Sequence, residues 1–254
     1  METKISDIKT ELSNTDNDRL NDFIGKYSQD LRPSVQTLVK KAQKALDKYN
    51  VELARIDKMK EYERMYSECG YICGIDEVGR GPLAGPVVAG AVILPKDCTI
   101  LYINDSKKLS ETKREELYDI IMEQAVAVGL GYVDNNRIDE INILNATKRA
   151  FIAAYKDMGV QADHALIDAI KGLDLPCEQL PLIHGDALSY SIACASIMAK
   201  VKRDRFMIRM DELYPGYGFA KNKGYGTAEH IAALKEKGPC PIHRRSFIKN
   251  FISD

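Results

Sequence analysis

The chain has 254 residues, 36 Lys and Arg against 37 Asp and Glu, 45% hydrophobic residues and no Trp. This length gives one or two domains whose cores need no disulfide or metal staple, and 29% charged residues excludes a low-complexity or collagen-like chain. The longest apolar run, residues 87–94, is far short of the roughly 18 residues of a membrane helix, and the opening METKISDIKTE has no apolar segment of a secretory signal, so a cytoplasmic protein without a membrane span is expected.

Residues 1–70 are predicted as a small all-helical module. Short helical stretches cover 5–12 and 17–27, and Leu31-Arg32-Pro33-Ser34 marks a break. Beyond it Val35, Val39, Ala42, Leu46, Tyr49, Leu53 and Ile56 recur at helical spacing, a helix directed toward Tyr66 and ended by Gly70. The module carries no net charge, and its expected role is binding of substrate or a partner. At Tyr71 the texture changes to an α/β domain over 71–254. Strands are predicted over 71–75, stopping at Asp76-Glu77, then over 87–94, 125–133, 165–168 and 180–183. Helices are predicted over 111–123 with Ser110 as N-cap, and over 139–158, 189–213 and 228–235. Five strands alternating with helices give a mixed sheet flanked by helices. The six cysteines include no C-x-x-C pair and read as reduced core residues; Cys69 and Cys73 lack the second pair or nearby His that would complete a zinc site.

Charge is distributed unevenly. Residues 71–199 carry net −7 and residues 200–254 net +6, the pattern of a cation-binding centre beside a polyanion-binding surface. Within the acidic part, Asp76 and Glu77 follow one apolar strand, Asp168 ends another, and Asp186 begins the long helix after His184-Gly185. Ligands in α/β sheets bind outside strand ends. Carboxylates gathered in such a crevice repel one another unless a cation joins them, and an all-oxygen set suits Mg²⁺ or Mn²⁺. Taken singly each acid also fits a cap or a turn, Asp186 as N-cap above all.

Gly79-Arg80-Gly81 follows the first acid pair. Its glycines permit close backbone approach to a ligand, and its N–H groups with Arg80 suit an anion. Ser106, Lys107 and Lys108 precede a helix, and Lys200, Lys202, Arg203 and Arg205 lie along the long one. Lys221 and Lys223 precede Tyr225, which stands between glycines, free to stack on a base or sugar or to cover the core. His243-Arg244-Arg245 fits either phosphate contact or packing of the C-terminus.

These pieces together resemble bacterial ribonuclease HII. The resemblance lies in GIDEVGRGPLAGPVVAGAVIL at 74–94, NDSKKLS at 104–110, Leu166–Asp168, Gly185-Asp186 through SIACASIMAKVKRDR, and YPGYGFAKNKGYGT at 214–227, in the family's order. It covers about residues 71–247; residues 1–70 resemble the helical extension of some members. The resemblance implies an RNase H-like fold and an endoribonuclease that cleaves RNA–DNA hybrids and DNA duplexes with embedded ribonucleotides, by two-metal hydrolysis leaving 3′-OH and 5′-phosphate. It makes Asp76, Glu77, Asp168 and Asp186 the metal-binding acids. Gly79, Arg80 and Gly81 would read the 2′-OH, Tyr225 would stack on the neighbouring deoxyribose, and Ser106 and Lys107 would join the substrate site. A monomer is expected. Ribonuclease HIII, the alternative within the group, usually carries Gly-Lys-Gly and a final Glu where this chain has Arg80 and Asp186. A DNA nuclease of the same broad fold, or a non-catalytic nucleic-acid-binding module, are the remaining alternatives.

Overall fold

A computed structural model describes residues 3–252, the side chain of Cys69 apart. The chain separates into two compact units, Met1–Lys58 and Met59–Asp254. The first holds α1 (Ile5–Ser13), α2 (Leu20–Tyr27) and nearly all of α3 (Pro33–Met59). Pro33 opens α3 because the first helical position needs no N–H donor. The predicted spacing puts Val35, Ala42 and Leu46 in a core with Ile8, Leu20, Phe23 and Tyr27. Glu11 ties this core's edge, accepting from Tyr27 Oη at 2.6 Å and from Lys26 Nζ at 2.7 Å.

The second unit begins with the short α4 (Glu61–Met65). Tyr62 and Tyr66 pack against Leu166, Leu182 and Ile192. The boundary by contact therefore falls ahead of Gly70, where the composition changes. Next come β1 (Ile72–Val78), β2 (Val87–Ile93), α5 (Glu111–Gln124), β3 (Ala127–Val133), α6 (Asn135–Asp157), β4 (His164–Asp168) and β5 (Glu178–Leu182). The five strands form one mixed sheet in the order β3-β2-β1-β4-β5. β1 pairs antiparallel with β2 and parallel with β4. The chain continues through α7 (Gly185–Leu188), α8 (Tyr190–Leu213), α9 (Phe219–Asn222), α10 (Ala228–Lys237) and α11 (Arg245–Ile248). No described helix is long and apolar enough to cross a membrane.

Glycines let helices press onto both faces of the sheet. A Cβ on Gly74 or Gly90 would stand 2.1 Å from Ser191 C or 2.4 Å from Ala195 O, so α8 lies directly on that face. On the opposite face a Cβ on Gly129 or Gly131 would stand 2.0 Å from a carbonyl oxygen of α6. Ser110 caps α5 as expected, accepting from Lys113 N. α6 starts earlier than expected, capped by Asp134, and Asn142 breaks it with φ 65°. β1 runs through Asp76 and Glu77 instead of stopping before them, because Gly90 and Ala89 of β2 pair with them. Ser189, and not Asp186, caps α8 with its side chain, and α7 is a separate helical turn. Of the cysteines described, Cys73, Cys98, Cys194 and Cys240 are buried and Cys177 half-buried, all as free thiols.

Two outcomes follow for stability. Gly131→Ala should cost about 1–3 kcal/mol by overpacking against α6, read from urea denaturation. Truncation after Lys58 should leave the second unit folded. Truncation after Gly70 should lower its Tm, because it removes the Tyr62 and Tyr66 contacts and also Glu63, whose Oε1 accepts from Ser189 Oγ at 2.6 Å and Ser191 N at 2.9 Å.

Candidate functional site

Parallel pairing of Ile75 with Ile167 sets the next residues, Asp76 and Asp168, side by side on neighbouring strands. Glu77 completes the group: one carboxylate oxygen from each of Asp76, Glu77 and Asp168 lies within 4.8 Å of the others. Asp76 is buried; its Oδ1 accepts from the Glu77 N–H at 2.7 Å and its carboxyl also takes a hydrogen bond from Ser196 of α8. Asp168 Oδ1 accepts from Gly185 N at 2.6 Å, which fastens α7 to β4. A Cβ on Gly185 would stand 2.7 Å from Ile192 Cδ1 and 3.2 Å from Asp168 Oδ1, so the turn packs closely at this point.

Burial, then the neighbouring Glu77 and Asp168 charges, push the Asp76 carboxyl well above the usual carboxylate range. Burial lifts Glu77 to about 7, against the pull of Arg80, whose Nη1 stands 3.5 Å from Glu77 Oε1. Glu77 Oε2 is buried without a hydrogen-bond partner among the described residues. A carboxylate cluster of this charge with an orphaned oxygen fits a hard divalent cation. Asp186 lies outside the three-residue group. Burial raises its pKa, as do Asp105, which shares a hydrogen bond with it, and Asp168. Asp105 thus stands beside Asp186, a juxtaposition that residues 81 positions apart give no sign of in the sequence. Burial opposes charge on Lys107, but Asp105, Asp186 and Asp76 more than reverse this, so its ammonium holds its proton tightly. Ser106 is buried at 2% exposure, and its Oγ meets Ser196 Oγ at 3.0 Å. It thus faces inward, toward the Asp76 support, not outward.

The loop after β1 is held from beneath by two fully buried arginines. Arg244 donates to the carbonyls of Gly79 (2.6 Å), Arg80 (2.8 Å) and Gly85 (2.9 Å). Arg203 donates to those of Pro86 (2.9 Å), Ala84 (3.1 Å) and Lys223 (2.8 Å). In a trans peptide the C=O and N–H point in opposite directions. With the Gly79 and Arg80 carbonyls turned to Arg244, the N–H groups of Arg80 and Gly81 point away from it. Gly79 has φ 95°, and a Cβ there would stand 2.2 Å from Arg203 Nε. Gly81 has a different reason to be bare: its nearest neighbour in the direction of a Cβ is Tyr225 Cε1 at 3.9 Å, so the missing side chain leaves open space beside the Tyr225 ring. Tyr225 is 41% exposed, and the centre of its ring lies 6.0 Å from Arg203 Cζ. Tyr225 is therefore no mere lid on the core.

Arg203 does not face phosphate, and of the two roles open to Arg244, phosphate contact or packing of the C-terminus, the structure shows an internal one: both side chains are fully buried. Lys200 also turns aside, pairing with buried Asp204 at 2.7 Å, and Arg205 pairs with Glu115. The signal that identifies Arg203 is its place four residues after Ala199 and four before Met207, on the buried stripe of α8.

The raised carboxyls give a test with a definite sign. Glu77 and Asp76 keep protons in the metal-free fold where the unfolded chain has lost them. Their contribution to stability is complete below the ordinary 4.5 of a Glu side chain and is lost as pH rises through about 7. A bound cation removes that loss. The gain in Tm on replacing EDTA with Mg²⁺ should accordingly grow from about pH 5 to above pH 7. A gain that does not vary with pH would place the cation elsewhere.

Comparison with known proteins agrees with this geometry. The family model for the ribonuclease HII N-terminal domain matches residues 4–67, and that for ribonuclease HII matches residues 73–250. A ribonuclease HII of Lachnoclostridium phytofermentans is 55% identical over 253 residues, all of both chains. One from Enterococcus faecalis is 52% identical over 239 residues, 92% of this chain and 93% of its own. Among solved structures, ribonuclease H2 from Pyrococcus horikoshii OT3 superposes with a TM-score of 0.59 at 24% identity, over 69% of this chain and 93% of that one; at that identity the likeness concerns the RNase H-like fold. With both family models in sequence along one chain and a relative 55% identical along its whole length, this protein belongs to the bacterial ribonuclease HII family and is an endoribonuclease.

Proposed function

We propose that the enzyme cuts the RNA strand of RNA–DNA hybrids, and DNA duplexes at embedded ribonucleotides, by hydrolysis that leaves 3′-OH and 5′-phosphate ends. The observation that carries this reading is the adjacency of two devices: three carboxylates within 4.8 Å, and beside them a loop whose N–H groups are turned away from its buried anchor. Asp76, Glu77 and Asp168, with Asp186 at their flank, would hold Mg²⁺ or Mn²⁺. Such ions neutralise the scissile phosphate and make water a better nucleophile near neutral pH. Ser106 acts through Ser196 to orient Asp76. Lys107 offsets negative charge arriving at the acids.

Selectivity is assigned to the other device. The N–H groups of Arg80 and Gly81 suit the oxygen of a 2′-OH, and the bare Gly81 admits the sugar that carries it. The Tyr225 ring next to Gly81 offers a flat face to the neighbouring deoxyribose. An RNA residue followed by DNA satisfies both contacts. All these residues come from one chain, so a monomer suffices, and its proposed site of action is the cytoplasm.

Asp76→Asn and Asp168→Asn should each lower cleavage of a DNA duplex containing one ribonucleotide by about a thousandfold or more in Mg²⁺, roughly 4 kcal/mol of transition-state stabilisation. Binding of the duplex, followed by fluorescence anisotropy, should persist. The wild type should leave an all-DNA duplex intact. Cutting of all-DNA would replace this reading with that of a DNA nuclease, and full turnover by either variant would remove the acids from the reaction.

A further inference from the structure

Behind Tyr225 lies a line of buried hydrogen bonds that neither the acidic cluster nor the Gly79–Gly81 loop uses. His243 Nδ1 accepts from the Cys240 N–H at 3.0 Å. His243 Nε2 meets His230 Nε2 at 3.0 Å, and His230 Nδ1 meets the Tyr225 carbonyl at 2.8 Å. Both imidazoles are buried, at 0% and 1% exposure. Only one arrangement of protons satisfies all three links. A main-chain N–H can only donate, so His243 Nδ1 is bare and its proton sits on Nε2. That proton points at His230 Nε2, which must then be bare. The His230 proton sits on Nδ1 and points at a carbonyl, which can only accept. Both rings are neutral, and each fixes the tautomer of the next.

We propose that His243 and His230 are positioning residues that hold Tyr225 in place for substrate through this relay of neutral hydrogen bonds. The proposal rests on the reading that Tyr225 meets the sugar beside the ribonucleotide. Tyr225 hangs from a loop that needs such a hold. Lys223 and Gly224 before it both have positive φ, 52° and 86°, and Gly226 follows. The Tyr225 carbonyl takes a second hydrogen bond from Thr227 N at 2.8 Å, so the peptide after the tyrosine is fixed by two donors. Tyr217 and Phe219 wall the imidazoles, with ring centroids 5.0–6.4 Å away. Seclusion from solvent denies the pair any proton exchange with substrate and restricts it to orientation. Burial and the neighbouring imidazole push His243 down to about 4, and burial lowers His230, so the relay stays neutral around pH 7. The next residue, Arg244, holds the carbonyls of Gly79 and Arg80. Two consecutive residues therefore set both halves of the selectivity device.

The test compares Tyr225→Ala, His230→Leu, His243→Leu and His230→Asn with the wild type. Steady-state kcat and KM are measured on a DNA duplex with one ribonucleotide and on a continuous RNA–DNA hybrid, with Tm taken on the same preparations. Asn places an amide N–H where His230 Nδ1 stood and so keeps the donor to Tyr225. Tyr225→Ala should lose about tenfold to a hundredfold in kcat/KM on the single-ribonucleotide duplex and less on the hybrid. The two Leu variants should follow it, with a loss of about tenfold on the first substrate and less on the second. His230→Asn should stay within about threefold of the wild type on both. If Tyr225→Ala is selective while the Leu variants lose both activities alike, or if His230→Asn and His230→Leu are equivalent, the relay only packs the core and the proposal falls alone. If Tyr225→Ala shows no selectivity, the reading of Tyr225 falls and takes the proposal with it.

Discussion

Arg203 and Arg244 are the constraint from which the site is built. A guanidinium keeps its charge in nearly every protein environment, and removing it from water costs several kcal/mol unless its donors are satisfied. Here each guanidinium gives three hydrogen bonds to main-chain carbonyls. Hydrogen bonds to charged groups contribute about 1.5–3 kcal/mol each. Burial nevertheless lowers the pKa of Arg203 to about 10 and that of Arg244 to about 9, which shows how strongly the surroundings resist the charge. The carbonyls of Gly79 and Arg80 must therefore keep pointing inward, and the outward N–H groups of Arg80 and Gly81 follow from that. Side chains could not do this as rigidly, because main-chain atoms carry no rotamers to lose.

The acids obey a different constraint. Their separation is set by strand pairing: Asp76 and Asp168 are neighbours because Ile75 and Ile167 are paired. Repulsion among them is not relieved by moving apart, since the sheet holds them, with Gly90 across from Asp76 letting α8 close over the strand. Energy stored as raised carboxyl pKa values is then available to a cation. The carboxylates and the loop are joined by the Arg80–Glu77 contact at 3.5 Å, so an anion drawn to Arg80 also alters the field at Glu77.

Much of this was legible in the residues. The apolar runs around 87–94 and 125–133 became β2 and β3, and Ser110 caps α5. Asp76 and Asp168 stand out in the sequence because each adjoins an apolar run, and strand pairing brings them and Glu77 together. What escaped depends on partners far along the chain. Asp76-Glu77 reads as a strand's end until Gly90 and Ala89 are seen opposite. Asn135 and Asn136 disguise the start of α6, and the break at Asn142 obscures its period. Arg203 shows itself as internal only through the buried stripe of α8, and Arg244, which fits phosphate contact or packing alike, carries no local sign of facing away from water. Ser106 read as a contact for the same reason, although its partner Ser196 is 90 residues away.

The Arg244 anchor has a consequence for the order of events in the cell. Its hydrogen bond to Gly79 spans 165 residues, so the loop is synthesised long before the residue that fixes it. Residues 71–182, with the whole sheet and three of the four acids, leave the ribosome while Arg244 and the His243 relay are still to be made. Long-range contacts of this kind form late. A chain that stops short of Arg244 thus holds Asp76, Glu77 and Asp168 on their strands but lacks the donor that fixes the Gly79 and Arg80 carbonyls.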